Sequence, residues 1–427
     1  MPKRILMISE HASPLGVLGG VDSGGQNVYV AQLALGLGGL GYEVDVFTRR
    51  DSDTLPETVD FGPNVRVINV PAGPASFVRK EDMLPYMSAF TDFVLRYMTA
   101  RSTKGRNSTG SRANYDLIHA NFWMSGLVAT DLKRATGIPF VITFHALGRV
   151  RRVYQGTADG FPDERFAIED RIIAEADAII AECPQDEQDL REHYAADPRH
   201  IRMIPCGFDP AEFWPVGKAA ARARLGFEGS DRIVLQLGRM VPRKGVDTVL
   251  RGTAQLMKRY RLPARLVVVG GESAEPDPVA TPEIGRLMKI AAEEGIAKSV
   301  LFTGRRERAV LKYYYSAADV FATLPWYEPF GMTVLEAMAC GTPVIGANVG
   351  GIKFSVVHGE TGYLVPPKDP AALAERLAFL FRHPEILAQF SARAQARSVH
   401  HFTWERIATS MAMLYEDVLA VSQPVVT

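Results

Sequence analysis

A chain of 427 residues is longer than one hydrophobic core ordinarily organises, so two domains are expected. With 47% apolar and 22% charged residues, and 48 basic against 48 acidic side chains, it has the make-up of a soluble globular enzyme and no net charge to hold a nucleic acid. Its three cysteines, Cys183, Cys206 and Cys340, form no C-x-x-C pair, which argues against a disulfide framework or a structural zinc and suits a reducing cytoplasm.

The first strand is expected at residues 4–8. Basic residues precede this apolar run as in a signal peptide, but the run is short and Glu10 and His11 follow it, so it reads as a buried strand. No apolar stretch is long enough to span a bilayer. Next comes Gly19-Gly20-Val21-Asp22-Ser23-Gly24-Gly25-Gln26-Asn27, ahead of a helix expected at 28–37. Its glycines let backbone wrap an anion, and Gly24 to Asn27 sit where a helix N-terminus favours one. A formal G-x-G-x-x-G, Gly36-Leu37-Gly38-Gly39-Leu40-Gly41, ends that helix and precedes a strand, the reverse of a dinucleotide fingerprint.

Further strands are expected at 43–48, 65–70, 117–120, 140–144, 178–181 and 201–204, with helix-period segments between them. Asp51-Ser52-Asp53 has the D-x-D form of a metal–nucleotide site but merges into a polar turn and is read as that turn. Lys80 and Arg165 stand in charged runs that default to surface positions. Residues 101–114, rich in Ser, Gly, Asn and Arg, read as a surface loop. From Arg101 to Arg152 nine basic residues face two acidic ones, ordinarily a solvated face and compatible with peripheral membrane contact. His145 falls at the carboxyl end of a strand, where function concentrates.

The pattern restarts after the proline-punctuated stretch 205–215, so one domain is expected over 1–208 and a second over 209–401. The second domain's strands are expected at 233–237, 265–269, 300–302, 320–322, 344–346 and 362–365, and a last helix at 404–419. The implied class is α/β, two doubly wound parallel-sheet domains facing across a cleft at the carboxyl ends of their strands. After its first strand come Gly238-Arg239-Met240-Val241-Pro242-Arg243-Lys244-Gly245, whose Arg239 and Lys244 could neutralise a diphosphate. Glu328-Pro329-Phe330-Gly331-Met332-Thr333-Val334-Leu335-Glu336 then places two carboxylates around a turn that opens a helix at 333–340. Thr333-x-x-Glu336 also reads as a capping box, which would leave Glu336 a purely local task.

Taken together, these residues resemble the family 4 retaining glycosyltransferases of the GT-B fold, over nearly the whole chain. The Glu328-x7-Glu336 pair with Arg239 and Lys244 ahead of it is the most specific element, and the glycine-rich loop and His145 match as well. Gly20 to Asn27, Lys80 and His145-Ala146-Leu147-Gly148-Arg149 are most similar to the branch holding sucrose synthase, sucrose-phosphate synthase and the inositol-phosphate transferase of mycothiol synthesis.

The resemblance implies a hexosyl transfer from a nucleotide-diphospho-sugar, UDP-glucose-like, to a sugar or sugar-phosphate acceptor. It implies no cofactor and no metal. Glu336 would hold ribose hydroxyls, Arg239 and Lys244 the diphosphate, and Glu328 with the N–H groups of Phe330, Gly331 and Met332 the donor sugar and distal phosphate. His145 would contact the donor sugar at the reacting face. Gly24 and Gly25 would approach diphosphate and acceptor, and Gly25, Asn27, Lys80 and Arg165 would line the acceptor side. The helix over 402–427 would cross back onto the first domain.

Three departures bear on the acceptor. Ala146 stands where phosphate-accepting relatives carry a hydroxyl, Phe122 where some carry a tyrosine, and Gly350-Gly351-Ile352-Lys353-Phe354 where Gly-Gly-x-x-Glu is common. The donor base, the acceptor and the oligomeric state stay open. A sugar-nucleotide 2-epimerase and a non-catalytic sugar-nucleotide-binding protein are the alternatives of other classes.

Overall fold

The run Ile5-Leu6-Met7-Ile8, all four residues at 0% exposure, is a strand covered on both faces, and runs like it organise the molecule. The computed structural model describes residues 2–16, 24–104 and 115–422. Residues 19–23 of the expected glycine-rich loop and 105–114 of the expected surface loop lie outside the described residues.

Among the described residues the first sheet contains β1 (Arg4–Ile8), β2 (Glu43–Arg49), β3 (Thr58–Gly62), β4 (Val65–Val70), β5 (Leu117–Asn121), β6 (Phe140–Thr143), β7 (Ala178–Ala181) and β8 (Ile201–Met203). Their order across the sheet is β3-β4-β2-β1-β5-β6-β7-β8. The second sheet contains β9 (Ile233–Leu237), β10 (Arg265–Val269), β11 (Val300–Phe302), β12 (Val320–Thr323), β13 (Val344–Ala347) and β14 (Gly362–Val365), ordered β11-β10-β9-β12-β13-β14. Both are doubly wound, as expected: β1 pairs in parallel with β2 and β5, and β9 with β10 and β12. Chain order therefore reverses at β1 and at β9, and each reversal opens a crevice beyond the carboxyl ends of those strands.

One strand was not expected. β3 pairs antiparallel with β4, with a register shift between Asp60 and Gly62. It lies at the sheet edge with Thr58 exposed, so it lacks the apolar run that marks the interior strands.

The last helix, Trp404–Ser422, follows the second sheet in sequence but lies against the helix Gly25–Gly39 of the first. A Cβ on Gly36 would stand 2.6 Å from the Ala408 Cβ, so the two helices approach as closely as a glycine permits. Tyr415 Oη reaches His119 Nδ1 at 2.6 Å beneath them. Phe208 N–H donates to the Phe402 carbonyl at 2.8 Å and Trp404 N–H to the Phe208 carbonyl at 3.1 Å, which fixes where the chain crosses. Phe402 itself packs on Phe330 and Phe354 of the second half, with ring centroids 6.3 and 5.8 Å apart, so apolar packing is continuous across the molecule.

Candidate active site

The loop after β9 and the loop after β12 form one wall of the cleft. In the first, a short 3-10 turn, Pro242–Lys244, carries two basic side chains before the helix Val246–Arg259. In the second, Gly331 adopts a left-handed conformation (φ 93°) and opens the helix Met332–Ala339, a geometry that costs most side chains strain. Lys244 Nζ pairs with Glu328 Oε2 between the two loops. Burial pushes the Lys244 ammonium down to about 8 in spite of that partner, and Arg243 and Arg239 add to the effect. Burial also opposes charge on Glu328, but Lys244, Arg243 and Arg239 outweigh it and hold that carboxyl below its usual range. Three cations thus converge on one carboxylate, a surplus of positive charge facing the cleft.

Glu336 is one turn into its helix and does not cap it. The helix cap is Gly331, without a side-chain cap, and the capping-box alternative is thereby corrected. Glu336 instead turns inward, 4% exposed, where Oε1 accepts from Arg308 Nη1 at 3.0 Å and Oε2 from Tyr315 Oη at 2.8 Å. Burial raises its carboxyl above the usual range, and Arg308 opposes the rise. The backbone of Glu328 to Phe330 is held from behind by Gly350 and Gly351. Gly351 N–H donates to the Pro329 carbonyl at 3.0 Å, and a Cβ on Gly350 would lie 1.7 Å from the Glu328 carbonyl oxygen.

The opposite wall belongs to the first sheet. His145 follows β6 with φ 57°, uncommon for a side chain other than glycine. Its Nδ1 lies 3.1 Å from Glu182 Oε1, after β7, and its Nε2 3.0 Å from Asn121 Oδ1, at the end of β5. Tyr29, on the helix Gly25–Gly39, meets the imidazole edge-on at 4.7 Å. Three adjacent strand ends thus converge on one ring, as position in a doubly wound sheet dictates.

Gly24 and Gly25 face the other wall: a Cβ on Gly24 would stand 4.0 Å from Arg239 Nε, and one on Gly25 3.0 Å from Met332 Cε. The structure thus brings Gly24, Gly25, Asn27, Lys80, His145, Arg239, Lys244, Glu328, Phe330, Gly331, Met332 and Glu336 to a single cavity of about 410 Å³. Asn27 also shapes the loop, its Oδ1 accepting from Gly24 N–H and its Nδ2 donating to the Ser13 carbonyl, both at 2.9 Å.

Arg165 is placed differently. It is fully buried, its Nε donating to Glu169 Oε1 at 2.7 Å, and its guanidinium lies 5.0 and 4.7 Å from the rings of Phe122 and Phe161. Those two rings line the cavity and Arg165 stands behind them. Arg151 lines the cavity instead, anchored by Asp159 Oδ1 at 2.6 Å. Asp51 and Asp53 lie outside this lining, in a turn where Arg50 donates to the Ser52 and Asp53 carbonyls.

Sequence reasoning did not single out Arg151, Asn121, Glu182, Arg308, Tyr315 or Tyr327. Asn121 and Glu182 end or follow expected strands, so the rule that flagged His145 reaches them too. Arg308 stands in the run Arg305-Arg306-Glu307-Arg308. Tyr327 bridges the walls: its ring stacks on Tyr154 at 5.0 Å and its hydroxyl accepts from Gln155 Nε2 at 2.6 Å.

Residues 217–397 match the model of the glycosyl transferases group 1 family, and residues 23–212 that of Glycosyltransferase Family 4. A D-inositol 3-phosphate glycosyltransferase 2 of Catenulispora acidiphila is 36% identical over 99% of this chain and 97% of its own length. A D-inositol 3-phosphate glycosyltransferase of Thermobispora bispora is 37% identical over 97% and 95%. Among solved structures, sucrose-phosphate synthase of Thermosynechococcus elongatus superposes with a TM-score of 0.87 at 34% identity, covering 98% of this chain and all of that one.

Proposed function

The chain belongs to glycosyltransferase family 4, with the GT-B fold, and on that footing we propose that it moves a hexosyl group from a UDP-glucose-like donor to a sugar-phosphate acceptor with retention of configuration. The observation that carries the reading is the cluster of Arg239, Lys244 and Glu328 facing Gly24 and Gly25 across one cleft. A departing diphosphate gains negative charge, and preorganised cations and helix-start N–H groups stabilise that charge where it develops. Arg239, Lys244 and the N–H groups of Phe330, Gly331 and Met332 take this task without a metal. Glu328 turns to the donor sugar once phosphate draws Lys244 away, and Glu336 receives the ribose hydroxyls. His145 meets the sugar at the reacting face.

In this reading residues 1–208 with 402–427 form the acceptor-side unit and 209–401 the nucleotide-sugar unit. The names of the relatives, which specify an inositol phosphate and a sucrose phosphate, favour a phosphorylated acceptor. Lys80 and Arg151 on the first-sheet wall are the cations placed to meet it, and Arg165 supports that wall from behind. No side chain is assigned as a covalent nucleophile. The acceptor attacks the face from which diphosphate departs, and a leaving-phosphate oxygen takes its proton. The reaction belongs in the cytoplasm; among the described residues no helix is long and apolar enough to cross a membrane.

The test is a thermal-shift screen with UDP-, ADP- and GDP-glucose, followed by transfer to inositol 3-phosphate and to hexose phosphates in the presence of EDTA. A true donor at about 100 times its Kd adds roughly 2.7 kcal/mol of stability. The anomeric coupling in the product reports retention. No stabilisation by any nucleotide sugar, or a product of inverted configuration, would refute the proposal.

A further inference from the structure

We propose that Glu182 is a positioning residue that keeps His145 protonated on both ring nitrogens, so that the imidazole offers a fixed cationic edge to the reacting face and cannot act as a base. The inference rests on the transfer reading above and adds to it a residue with its own task. Both nitrogens of His145 face acceptors. Asn121 Nδ2 donates to the Ile8 carbonyl at 3.3 Å, which turns its Oδ1 toward His145 Nε2, so Nε2 must carry the proton of that contact. On the other side, Glu182 Oε1 lies 3.1 Å from Nδ1 and accepts from the Cys206 thiol at 3.1 Å. Burial and then Glu182 raise the Cys206 thiol well above its usual range, so sulfur keeps its proton and donates. The Nδ1–Oε1 contact needs one proton between its two atoms, and because imidazole is a stronger base than a carboxylate, Nδ1 carries it.

The other groups around the ring agree. Asp186 Oδ2 accepts from Glu182 N–H at 3.0 Å, and burial followed by the Glu182 charge pushes the Asp186 carboxyl up to about 8. Of these two neighbouring carboxyls, Asp186 is the one that burial drives to take up a proton. His119, reached through Thr143, is pushed down to about 3 by burial and by His145, so it stays neutral. Tyr29 offers His145 only its ring edge, and its hydroxyl turns to Thr143 Oγ1 at 3.3 Å. Across the cleft, Lys244 and Glu328 pair with each other.

The consequence is chemical. With no lone pair on either nitrogen, His145 cannot accept the acceptor's proton. As the acceptor oxygen bonds to the anomeric carbon and the carbon–oxygen bond to phosphate breaks, that proton passes to the leaving phosphate. The ring stabilises the developing diphosphate charge from a geometry that three strand ends hold.

The test is Glu182→Gln, which keeps size and hydrogen bonding but removes the charge, in protein labelled with 15N in its histidine rings and with the His145 signals assigned by their loss in His145→Asn. Wild type shows both His145 nitrogens protonated at neutral pH; the variant shows one. In transfer assays the variant loses about tenfold or more in kcat while the donor KM stays within about twofold, the split expected of a group that acts on the transition state. A wild-type ring with one bare nitrogen overturns the proposal, and that spectrum decides even if the variant does not fold. A variant with wild-type spectrum and kcat overturns it too. Failure of wild type to transfer from any nucleotide sugar would refute the transfer reading and leave the spectral result to judge Glu182 separately.

Discussion

At the scale of single residues, the cleft is governed by which buried charges have partners. Lys244 has Glu328 and two neighbouring guanidiniums, and its ammonium titrates near 8. On the proposed reading, removing it or Arg239 takes a charge-assisted contact from the leaving group. Lys244→Ala and Arg239→Ala are each expected to raise the barrier by about 2–4 kcal/mol with melting temperature little changed; near-normal kcat/KM in both would remove the diphosphate assignment. The pH profile follows with its sign. The Lys244 charge, to which the proposed reading gives the diphosphate, is present below about 8 and lost above it, so kcat/KM is expected to fall as pH rises through that value. Lys244→Arg, which stays charged, flattens that alkaline limb; an unchanged limb would assign it elsewhere. Glu336 differs in kind, because Arg308 and Tyr315 already hold its carboxylate. Glu336→Gln is expected to weaken free-nucleotide binding tenfold, about 1.4 kcal/mol, in calorimetry. Unchanged affinity with a lower melting temperature would make Glu336 a structural partner of Arg308 alone.

At the scale of elements, function depends on how closely loops approach one another. The helix Met332–Ala339 starts at a left-handed glycine, and Glu328, Phe330, Gly331 and Met332 line the cleft around that start. That loop rests on Gly350 and Gly351, where another backbone leaves no room for a side chain. Gly350→Ala places a carbon 1.7 Å from the Glu328 carbonyl oxygen, and backbone cannot yield as a flexible side chain would. The Glu328 loop must shift, and a displacement of about 1 Å at a reacting centre costs on the order of a hundredfold in rate. Steady-state kinetics beside a melting curve would check this, and wild-type kcat would show that the loop adapts.

At the scale of the whole molecule, the C-terminal helix ties the two halves. Trp404, Ile407, Ala408, Met411, Leu414, Tyr415 and Val418 are buried on it, most of them toward the first half, although the helix follows the second sheet in sequence. Beneath it, Tyr415, His119 and Thr143 form a buried chain of hydrogen bonds that ends beside Tyr29 and hence beside His145. Tyr415→Phe leaves His119 Nδ1 buried without its partner, expected to cost about 1–3 kcal/mol. Urea unfolding of variant and wild type would measure it. A change within a few tenths of a kcal/mol would mean that His119 finds another partner there.

Much of this was legible in the chain itself. Thirteen strands follow from short apolar runs: the interior parallel strands are buried on both faces and so apolar throughout, and the edge strands β8, β11 and β14 keep short apolar runs of their own. The edge strand Thr58–Gly62 escapes that signal because none of its residues is buried and Asp60 and Gly62 interrupt its apolar residues. Glycine and proline at strand ends marked the loops after β1, β9 and β12, and a doubly wound sheet places such loops at its crevice whatever else it contains. Side-chain partners across the fold are another matter. Nothing local distinguishes a capping Glu336 from one that turns inward to Arg308 and Tyr315, since both partners lie on a different helix. Likewise, no spacing reveals that Arg165 is covered by Phe122 and Phe161 while Arg151 meets the cavity, or that Glu182 reaches His145. Periodicity and turn chemistry are properties of neighbours in sequence, so the chain alone determined the layers and the cleft. Burial of a charge and its choice of partner depend on neighbours in space, and only the tertiary structure decided those.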